Sequence, residues 1–206
     1  GTAFDIVTHD ASLAANALCA ACLSGRELEA SGVHADSLQG DVRIAEHLRA
    51  FGCRSVFARD GLTASGFPQH GARIDLSGEP DLAPPLAILA AGAALVADAP
   101  RAESVLSGLD TLPGKESSRI EVLADGLSRA GWTIRATSRE LRIGAPAQRI
   151  AHTALELDPH GDHRMAFAFA LLGMLRDKLD VLAPECVAKS WPTFWRDLER
   201  LGARVV

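Results

Sequence analysis

Three segments of the chain are apolar at almost every position, a pattern typical of helices that are buried on all sides. Each segment follows an aspartate, namely Asp10, Asp81 and Asp162, and these aspartates are 71 and 81 residues apart. Aspartate favours the N-cap of a helix because its carboxylate accepts hydrogen bonds from unpaired first-turn amides. The pattern therefore predicts three buried helices at similar intervals, each with an aspartate at its start.

An amphipathic helix follows each buried one and ends on a similar phrase before Gly52, Gly131 or Gly202. Glycine at that position favours the left-handed turn that ends a helix. Segments with the composition of β-strands come after each glycine. The predicted strands cover residues 55–57 and 62–64, 132–135 and 140–143, and 203–206.

This order of elements repeats three times along the chain. Each repeat reads as strand, buried helix, strand, amphipathic helix and a pair of strands, which is a βαβαββ unit. The repeats run roughly over residues 1–68, 69–145 and 146–206, and no low-complexity linker separates them. The sequence predicts a single α/β (α+β) domain covering 1–206, with the sheets outside a core of buried helices.

Composition and charge narrow the classes of partner. Hydrophobic residues make up 48% of the chain and charged residues 23%, as in ordinary globular proteins. A net charge of −5 disfavours nucleic acid, because phosphate backbones select basic surfaces. The most apolar stretch, 82–97, is too short and too rich in alanine to predict a membrane span. With no signal-peptide pattern at its start, the chain is expected to be cytoplasmic.

Candidate metal ligands are few. Cys19 and Cys22 form a CxxC pair, but they lie three residues apart in an apolar helical run, and the other two cysteines are isolated in sequence. These features predict reduced thiols in the core. His160 and His163 flank Asp162, yet no third ligand follows at a zinc-like spacing, so no metal site is predicted.

Charged residues that do not fit a solvated helix face occur near predicted helix starts and in loops. They are Asp81, Lys115, Glu116, Arg119, Asp162, His163, Arg164 and Lys189. In a threefold arrangement equivalent helix ends share one edge of the domain, which would bring Asp81 and Arg164 together. Helix N-termini and cations at that edge would bind a phosphate or carboxylate. An aspartate among them would suit proton transfer.

Simpler roles for the same residues stay open at this point. Asp81 could serve only as an N-cap. Lys115, Glu116 and Arg119 are close enough in sequence to form ordinary surface ion pairs at a helix start.

Five short phrases, in order along the chain, resemble those of the 3-phosphoshikimate 1-carboxyvinyltransferase (EPSP synthase) family. They are residues 36–41 (DSLQGD, family S-x-Q-G-D), 79–84 (EPDLAP, a P-D helix start), 115–119 (KESSR, family K-E-S-D-R), 161–166 (GDHRMA, family D-H-R-M-A) and 188–192 (AKSWP, family K-S-F-P). Their order and spacing match the C-terminal half of that family from about Asp10 to Gly202.

The resemblance implies a fold, a reaction and a partner. The fold would be one domain of the inside-out α/β barrel of enolpyruvyl transferases. The reaction would transfer enolpyruvyl from phosphoenolpyruvate to the 5-hydroxyl of shikimate 3-phosphate, through a tetrahedral intermediate and without a metal or other cofactor. It belongs to the shikimate pathway of aromatic amino acid biosynthesis. Because the family's site lies between two domains, an N-terminal EPSP synthase-like domain would be needed for activity.

The resemblance also implies roles for individual residues. Asp81 would be the general base for the attacking hydroxyl, Lys115 would lie between the two substrates, and Glu116 would assist proton transfer at the methylene carbon. The substrate-binding residues would be Lys115, Arg119, Arg164, Lys189 and, at the position of a family Asn or His, Thr111.

Two departures from the family pattern keep other functions in view. Thr111, Leu112 and Pro113 stand where the family carries Asn or His and then Arg, and Ser118 replaces an aspartate. One alternative is a non-catalytic binding module with the same fold. Another is an enolpyruvyl transferase for a different alcohol, such as UDP-N-acetylglucosamine, whose enzymes share the repeat but lack the K-E-S and D-H-R-M-A phrases.

Overall fold

A computed structural model describes residues 4–7, 10–98 and 101–205 of the chain. Its first two units have the same order of elements. The first contains β1 (Phe4–Val7), α1 (Ala11–Ser24), β2 (Leu28–Ser31), α2 (Ile44–Ala50), β3 (Arg54–Phe57) and β4 (Gly61–Ser65). The second contains β5 (Arg73–Asp75), α3 (Ala83–Val96), β6 (Ser104–Ser107), α4 (Arg119–Ala130), β7 (Thr133–Ala136) and β8 (Glu140–Gly144).

The third unit is shorter within the described residues. It contains β9 (Leu155–Leu157), α5 (His163–Leu172), β10 (Leu179–Val181) and α6 (Phe194–Arg200). Residues 4–7, 10–98 and 101–205 also include four short 3-10 helices, at Gly40–Arg43, Pro80–Leu82, Leu112–Gly114 and Pro184–Lys189.

Two of the three sheets share one topology. Their strand orders are β1-β2-β4-β3 and β5-β6-β8-β7, with the outer pairs β1/β2 and β5/β6 parallel and the remaining pairs antiparallel. The third sheet is the parallel pair β9/β10. The α/β class predicted from sequence is confirmed, and a βαβαββ unit is complete in the first two of the three repeats.

The core is formed by α1, α3 and α5, with α3 in contact with both of the others. All but the last two residues of α3 are buried, as its uniformly apolar sequence predicts. Pro84 and Pro85 lie in its first turn. The N–H groups of this turn have no acceptor within the helix, so proline costs no hydrogen bond there. Among the residues that the structure describes, no helix is long and apolar enough to cross a membrane.

The cysteines are free thiols, as predicted. Cys19, Cys22 and Cys53 are buried and Cys186 is half-buried. Burial raises the pKa of Cys19 well above its usual value. A hydrogen bond with Cys53, followed by burial, does the same for the pKa of Cys22, so these thiols stay protonated at neutral pH.

Two of the three predicted aspartate caps are present. Asp10 Oδ1 accepts from the backbone N of Ser12 at 2.9 Å, and Asp162 Oδ1 accepts from the backbone N of Arg164 at 3.0 Å. The N-cap prediction for Asp81 is wrong. Asp81 lies inside the 3-10 helix that precedes α3, and α3 starts after Leu82 without a side-chain cap. Its carboxylate is turned instead to cations from other elements.

The glycines that end the amphipathic helices behave as predicted, with φ of 84° at Gly52, 114° at Gly131 and 103° at Gly202. The strand expected after Gly202 does not form: Ala203–Val205 is irregular, and Val206 lies outside the described residues. In the first two units the strands after the glycine pair as a hairpin. The third unit has one such segment, and a strand without a paired neighbour leaves its backbone groups unsatisfied.

The buried position of α3 can be tested with a pair of leucines. Leu86 is fully buried in α3, whereas Leu38 is fully exposed in a loop. Leu86→Ala should lower the free energy of unfolding by about 2–5 kcal/mol through lost burial and a cavity. Leu38→Ala should change it by no more than about 0.5 kcal/mol. Denaturant titrations of the two variants measure this, and equal effects would contradict a core built on α3.

Candidate active site

The N-terminal ends of the three buried helices meet at one edge, and Arg164 joins them. Its Nη1 donates to Ser12 Oγ at 3.0 Å in the first turn of α1, and its Nη2 lies 3.1 Å from Asp81 Oδ2 before α3. Arg164 itself is in the first turn of α5. The structure therefore brings Asp81 and Arg164 together, although 83 residues separate them in sequence.

Arg119, the first residue of α4, is the buried link in this cluster. Its Nε donates to Asp162 Oδ2 at 2.7 Å, and its Nη1 donates to Asp81 Oδ1 at 2.9 Å. The residue is only 3% exposed and pairs with Asp81 and Asp162, so the surface ion pair that its sequence spacing allowed is not the one it forms. Ser118 forms no side-chain cap, and the support for Arg119 comes from the two aspartates instead.

Asp162 is fully buried and accepts four hydrogen bonds. Ser117 Oγ at 3.1 Å and the backbone N of Arg164 supply two of them, and Arg119 supplies the others. Burial opposes ionisation of this carboxyl, but the hydrogen bonds and charge of Arg119 outweigh it, and the pKa of Asp162 lies below its ordinary value. Asp162 is thus a fixed anion that orients the guanidinium.

Asp81 is more accessible than Asp162, with 28% of its side chain exposed. Besides Arg119 and Arg164 it faces Lys115, whose Nζ is 3.6 Å from Asp81 Oδ1. Lys115 follows the 3-10 helix at Leu112–Gly114, which Leu112 anchors in the core. One partly open carboxylate therefore lies among three cations.

A second charged group lies beside the first. Lys189 Nζ donates to Glu116 Oε1, and this hydrogen bond lowers the pKa of Glu116 despite partial burial. His163 Nδ1 lies 3.2 Å from Glu116 Oε2 without hydrogen-bond geometry. Burial lowers the pKa of His163, so this ring is neutral at pH 7.

Three residues here have the atom types and spacing of a metal site. One ligand atom each from Glu116, Asp162 and His163 lies within 4.8 Å of the others. Asp162 is already engaged by Arg119, and Glu116 by Lys189. A cation would have to displace these charged partners, so the donor set fits an ion-pair network better than a metal.

Asp41 is a carboxyl of this edge that the sequence patterns did not single out for a role. Its Oδ1 is buried without a hydrogen-bond partner. Burial, followed by the charge of Asp81, raises the pKa of Asp41, and Arg164 opposes the shift. The DSLQGD phrase at residues 36–41 includes Asp41 and was the available sequence signal for it. The phrase does not show which of its side chains is buried.

The turn that carries Asp81 is anchored by a buried carboxylate, Glu79. Its Oε1 is 2.8 Å from His47 Nε2 and 2.9 Å from Arg43 Nη1, both from the segment around α2. Burial lowers the pKa of His47, although its hydrogen bond to Glu79 opposes the shift. A Cβ on Gly40 would lie 2.8 Å from the carbonyl oxygen of Gly78, so the two segments touch through their backbones. Sequence spacing could not predict this contact, which is purely tertiary.

Thr111 is the predicted site residue that the structure does not join to the cluster. It is exposed at the start of the 3-10 helix before Lys115, and within the described ranges no hydrogen bond or ion pair connects it to the charged residues above. The other predicted residues all lie in the two neighbouring charged groups described above.

A known protein family matches most of the chain. The family model described as EPSP synthase (3-phosphoshikimate 1-carboxyvinyltransferase) matches residues 3–198. The chain belongs to the EPSP synthase family. The match includes every charged residue of the network.

Two relatives of the EPSP synthase family are similar in sequence. The 3-phosphoshikimate 1-carboxyvinyltransferase of Methanoculleus marisnigri is 36% identical over 93% of this chain and 43% of its own length. That of Syntrophobacter fumaroxidans is 36% identical over 95% of this chain and 44% of its own length. The chain thus spans less than half the length of the curated relatives it matches.

Solved structures share the fold of this EPSP synthase-family chain. EPSP synthase from Acinetobacter baumannii superposes with a TM-score of 0.71 at 24% identity, covering 93% of this chain and 45% of that one. The enolpyruvyl transferase NikO from Streptomyces tendae gives a TM-score of 0.69 at 18% identity over 95% and 43%.

The pKa of Asp162 gives a prediction for stability. Asp162→Asn should lower the free energy of unfolding at pH 7 by about 3 kcal/mol, because it removes one partner of a buried ion pair. Folding lowers this pKa, so the contribution is complete above the ordinary carboxyl pKa of about 4 and is lost as pH falls through the folded value. The difference in the free energy of unfolding between the wild type and Asp162→Asn should therefore decrease from pH 5 downwards.

Denaturant titrations across pH 2–7 measure this gap, with Asp110→Asn as the control. Asp110 pairs with Arg139 at the surface, where an ion pair contributes no more than about 1 kcal/mol. A gap that stays constant with pH would show that the charge of Asp162 is not what stabilises the fold.

Proposed function

We propose that this chain is the C-terminal half of a 3-phosphoshikimate 1-carboxyvinyltransferase, in which it transfers enolpyruvyl from phosphoenolpyruvate to shikimate 3-phosphate. The relatives carry that name, although the chain spans under half of their length. The observation that carries the proposal is the partly open Asp81 carboxylate among Arg119, Arg164 and Lys115. Cations for two anionic substrates and a carboxylate for proton transfer are what this reaction needs.

Phosphoenolpyruvate brings a carboxylate and a phosphate to the cations. Lys189 and Lys115 have 65% and 37% of their side chains exposed and can turn to these groups without disturbing the core. Arg164 keeps 15% of its side chain exposed and is fixed by Ser12. Arg119 is almost fully buried. Its Nη1 donates to Asp81, and this is the hydrogen bond that a substrate anion can replace.

Two carboxylates then carry the protons. Asp81 accepts the proton of the attacking 5-hydroxyl while the hydroxyl oxygen bonds to C2 of phosphoenolpyruvate. Glu116 donates a proton to the methylene carbon C3 and later removes one from it. Addition of a proton at C3 gives the tetrahedral intermediate, and loss of phosphate with removal of a C3 proton gives the enolpyruvyl ether. Glu116 must be released from Lys189 to hold that proton, and a substrate anion that draws Lys189 away releases it.

The remaining context of the enzyme is also a proposal. On the charged edge Lys189, Lys115 and Asp81 keep 65%, 37% and 28% of their side chains exposed, which favours a cleft completed by an N-terminal EPSP synthase-like half. Residues 1–206 would form one domain with repeats at 1–68, 69–145 and 146–206. Free thiols at Cys19, Cys22 and Cys53 support action in the reducing cytoplasm.

A different acceptor alcohol is the second candidate. The observation in its favour is Thr111, which is exposed and unconnected to the cluster at the position where the family carries an Asn or His. The charged network is unaffected by that change, so the phosphoenolpyruvate side of the reaction would be the same for either alcohol.

Phosphate release tests the proposal. The chain is mixed with the part of the Methanoculleus marisnigri relative that lies outside the matched region, and phosphoenolpyruvate is supplied with shikimate 3-phosphate or with UDP-N-acetylglucosamine. Turnover is expected only with both halves and shikimate 3-phosphate. Asp81→Asn should lower kcat by about 10²–10⁴-fold, as expected for loss of a general base. Asp110→Asn should leave kcat unchanged.

Three outcomes would revise the function. Turnover with UDP-N-acetylglucosamine alone would identify the other alcohol as the acceptor. Full activity of Asp81→Asn would remove the proposed base. If no mixture releases phosphate while circular dichroism shows an intact fold, the result would favour the alternative that the chain is a non-catalytic binding module.

A further inference from the structure

Arg164 is held between the starts of two other helices. Its Nη1 donates to Ser12 Oγ in the first turn of α1, and its Nη2 lies 3.1 Å from Asp81 Oδ2 in the 3-10 turn that leads into α3. One guanidinium can meet both oxygens only while these two helix starts keep a fixed separation. The fold therefore needs an element that sets the distance between the start of α1 and the turn that carries Asp81.

Residues 39–47 touch both of these places, and we call this segment the brace. Gln39 Oε1 accepts from the backbone N of Ala11, the first residue of α1, at 2.9 Å. On the side of α3 the contact is backbone on backbone, because a Cβ on Gly40 would lie 2.8 Å from the carbonyl oxygen of Gly78. The brace therefore contacts the start of α1 and the segment before α3 at the same time.

The far end of the brace holds Glu79, a carboxylate with only 1% of its side chain exposed. His47 Nε2 lies 2.8 Å from Oε1, and Arg43 Nη1 donates to Oε2 at 3.2 Å. Burial lowers the pKa of His47, so the ring is neutral at pH 7 and its one proton lies on Nε2, toward the carboxylate. Both oxygens of the buried carboxylate therefore have a donor from the brace.

The link from Glu79 to Asp81 is short and stiff. Pro80 separates the two residues, and its ring fixes one of its backbone torsions. Asp81 lies within a 3-10 turn, which the backbone N of Leu82 closes by donating to the Glu79 carbonyl oxygen at 3.0 Å. A shift of Glu79 is therefore passed on to the Asp81 carboxylate.

We propose that the brace, through the contact of His47 and Arg43 with Glu79, is the positioning element for Asp81. The inference rests on the proposed function for the role of Asp81, and the brace residues act through that carboxylate. A buried ion pair adds little net stability over an apolar contact of the same size, because its charges lose their hydration. Its directional hydrogen bonds nevertheless fix one relative placement of two segments, and a proton acceptor depends on such placement.

Two similar hydrogen bonds allow the turn to be observed without any substrate. The Leu82 amide donates to the Glu79 carbonyl oxygen at 3.0 Å, and the Met165 amide donates to the Asp162 carbonyl oxygen at 3.0 Å. Each bond closes a turn at the start of a buried helix, and both donor residues are fully buried. Of these two turns, the brace holds the one before α3.

Amide hydrogen exchange, resolved by NMR on the intact chain, is the first test. His47→Leu removes one donor from the Glu79 carboxylate, so exchange at Leu82 should accelerate at least about tenfold more than exchange at Met165. His152→Leu is the matched control. It removes an exposed histidine that pairs with Asp177, and it should leave the ratio of the two exchange rates unchanged.

Kinetics in the mixture with the Methanoculleus marisnigri part are the second test. His47→Leu should lower kcat by about 10–100-fold, since displacing a reacting group by about 1 Å has an effect of this order. KM for phosphoenolpyruvate should change little, because Lys115 and Lys189 belong to other elements. His47→Gln keeps an N–H donor for Glu79 and should recover most of the lost kcat, whereas His152→Leu should retain the wild-type kcat.

A second variant covers the case in which His47→Leu does not fold. Glu79→Gln leaves no unpaired charge in the core and weakens both hydrogen bonds to the brace. It should shift the exchange ratio and kcat in the same directions by smaller factors. Thermal unfolding of every variant checks that the fold is retained.

The outcomes separate this inference from the proposed function. No turnover by the wild-type mixture, with a changed exchange ratio in His47→Leu, would count against the function and support the anchoring of the turn by the brace. An unchanged ratio would overturn the inference even if the wild type turned over. A changed ratio with wild-type kcat would also overturn it, because the position of the turn would then not matter to Asp81.

Discussion

The burial of three helices that are apolar on all sides is the constraint from which the rest of this structure follows. α1, α3 and α5 have no polar face to expose to water, so they pack against one another. The sheets consequently lie on the outside of the domain. The first-turn amides of the three helices collect at one edge, where unpaired N–H groups favour anions. Asp162 accepts from one of these amides and from Arg119, and Arg119 and Arg164 also bind Asp81, which completes the charged network at that edge.

Within the network, Arg119 and Asp162 are each costly to bury alone and are stable only as a pair. Their mutual bond fixes the position of Arg119, which in turn holds one oxygen of Asp81 while Arg164 holds the other. Lys115 and Lys189 are less enclosed and remain free to move. The proposed site therefore combines a rigid buried layer, which sets geometry, with a more exposed outer layer, to which the proposed function assigns substrate binding.

Local patterns predicted the parts of this fold that depend on local physics. Uniformly apolar segments located the buried helices, and glycine marked the ends of the amphipathic ones, because both signals lie within a few neighbouring residues. The same signals failed at Asp81, where three cations from other elements compete with the helix for the carboxylate. They also failed at residues 203–205, where strand formation depends on a partner. The anchoring of Glu79 by His47 and the orphan oxygen of Asp41 are contacts between distant segments, and no spacing along the chain encodes them.

The bond between Arg164 and Ser12 joins residues 152 positions apart. Such a contact forms only after the first and third units have docked, and closing so long a loop slows folding. Under the proposed function, substrate anions would therefore bind molecules that have completed their tertiary assembly, and partly folded chains would lack the site. The substrate would then act as a selective stabiliser of the finished domain, shifting the folding equilibrium by mass action in proportion to its concentration.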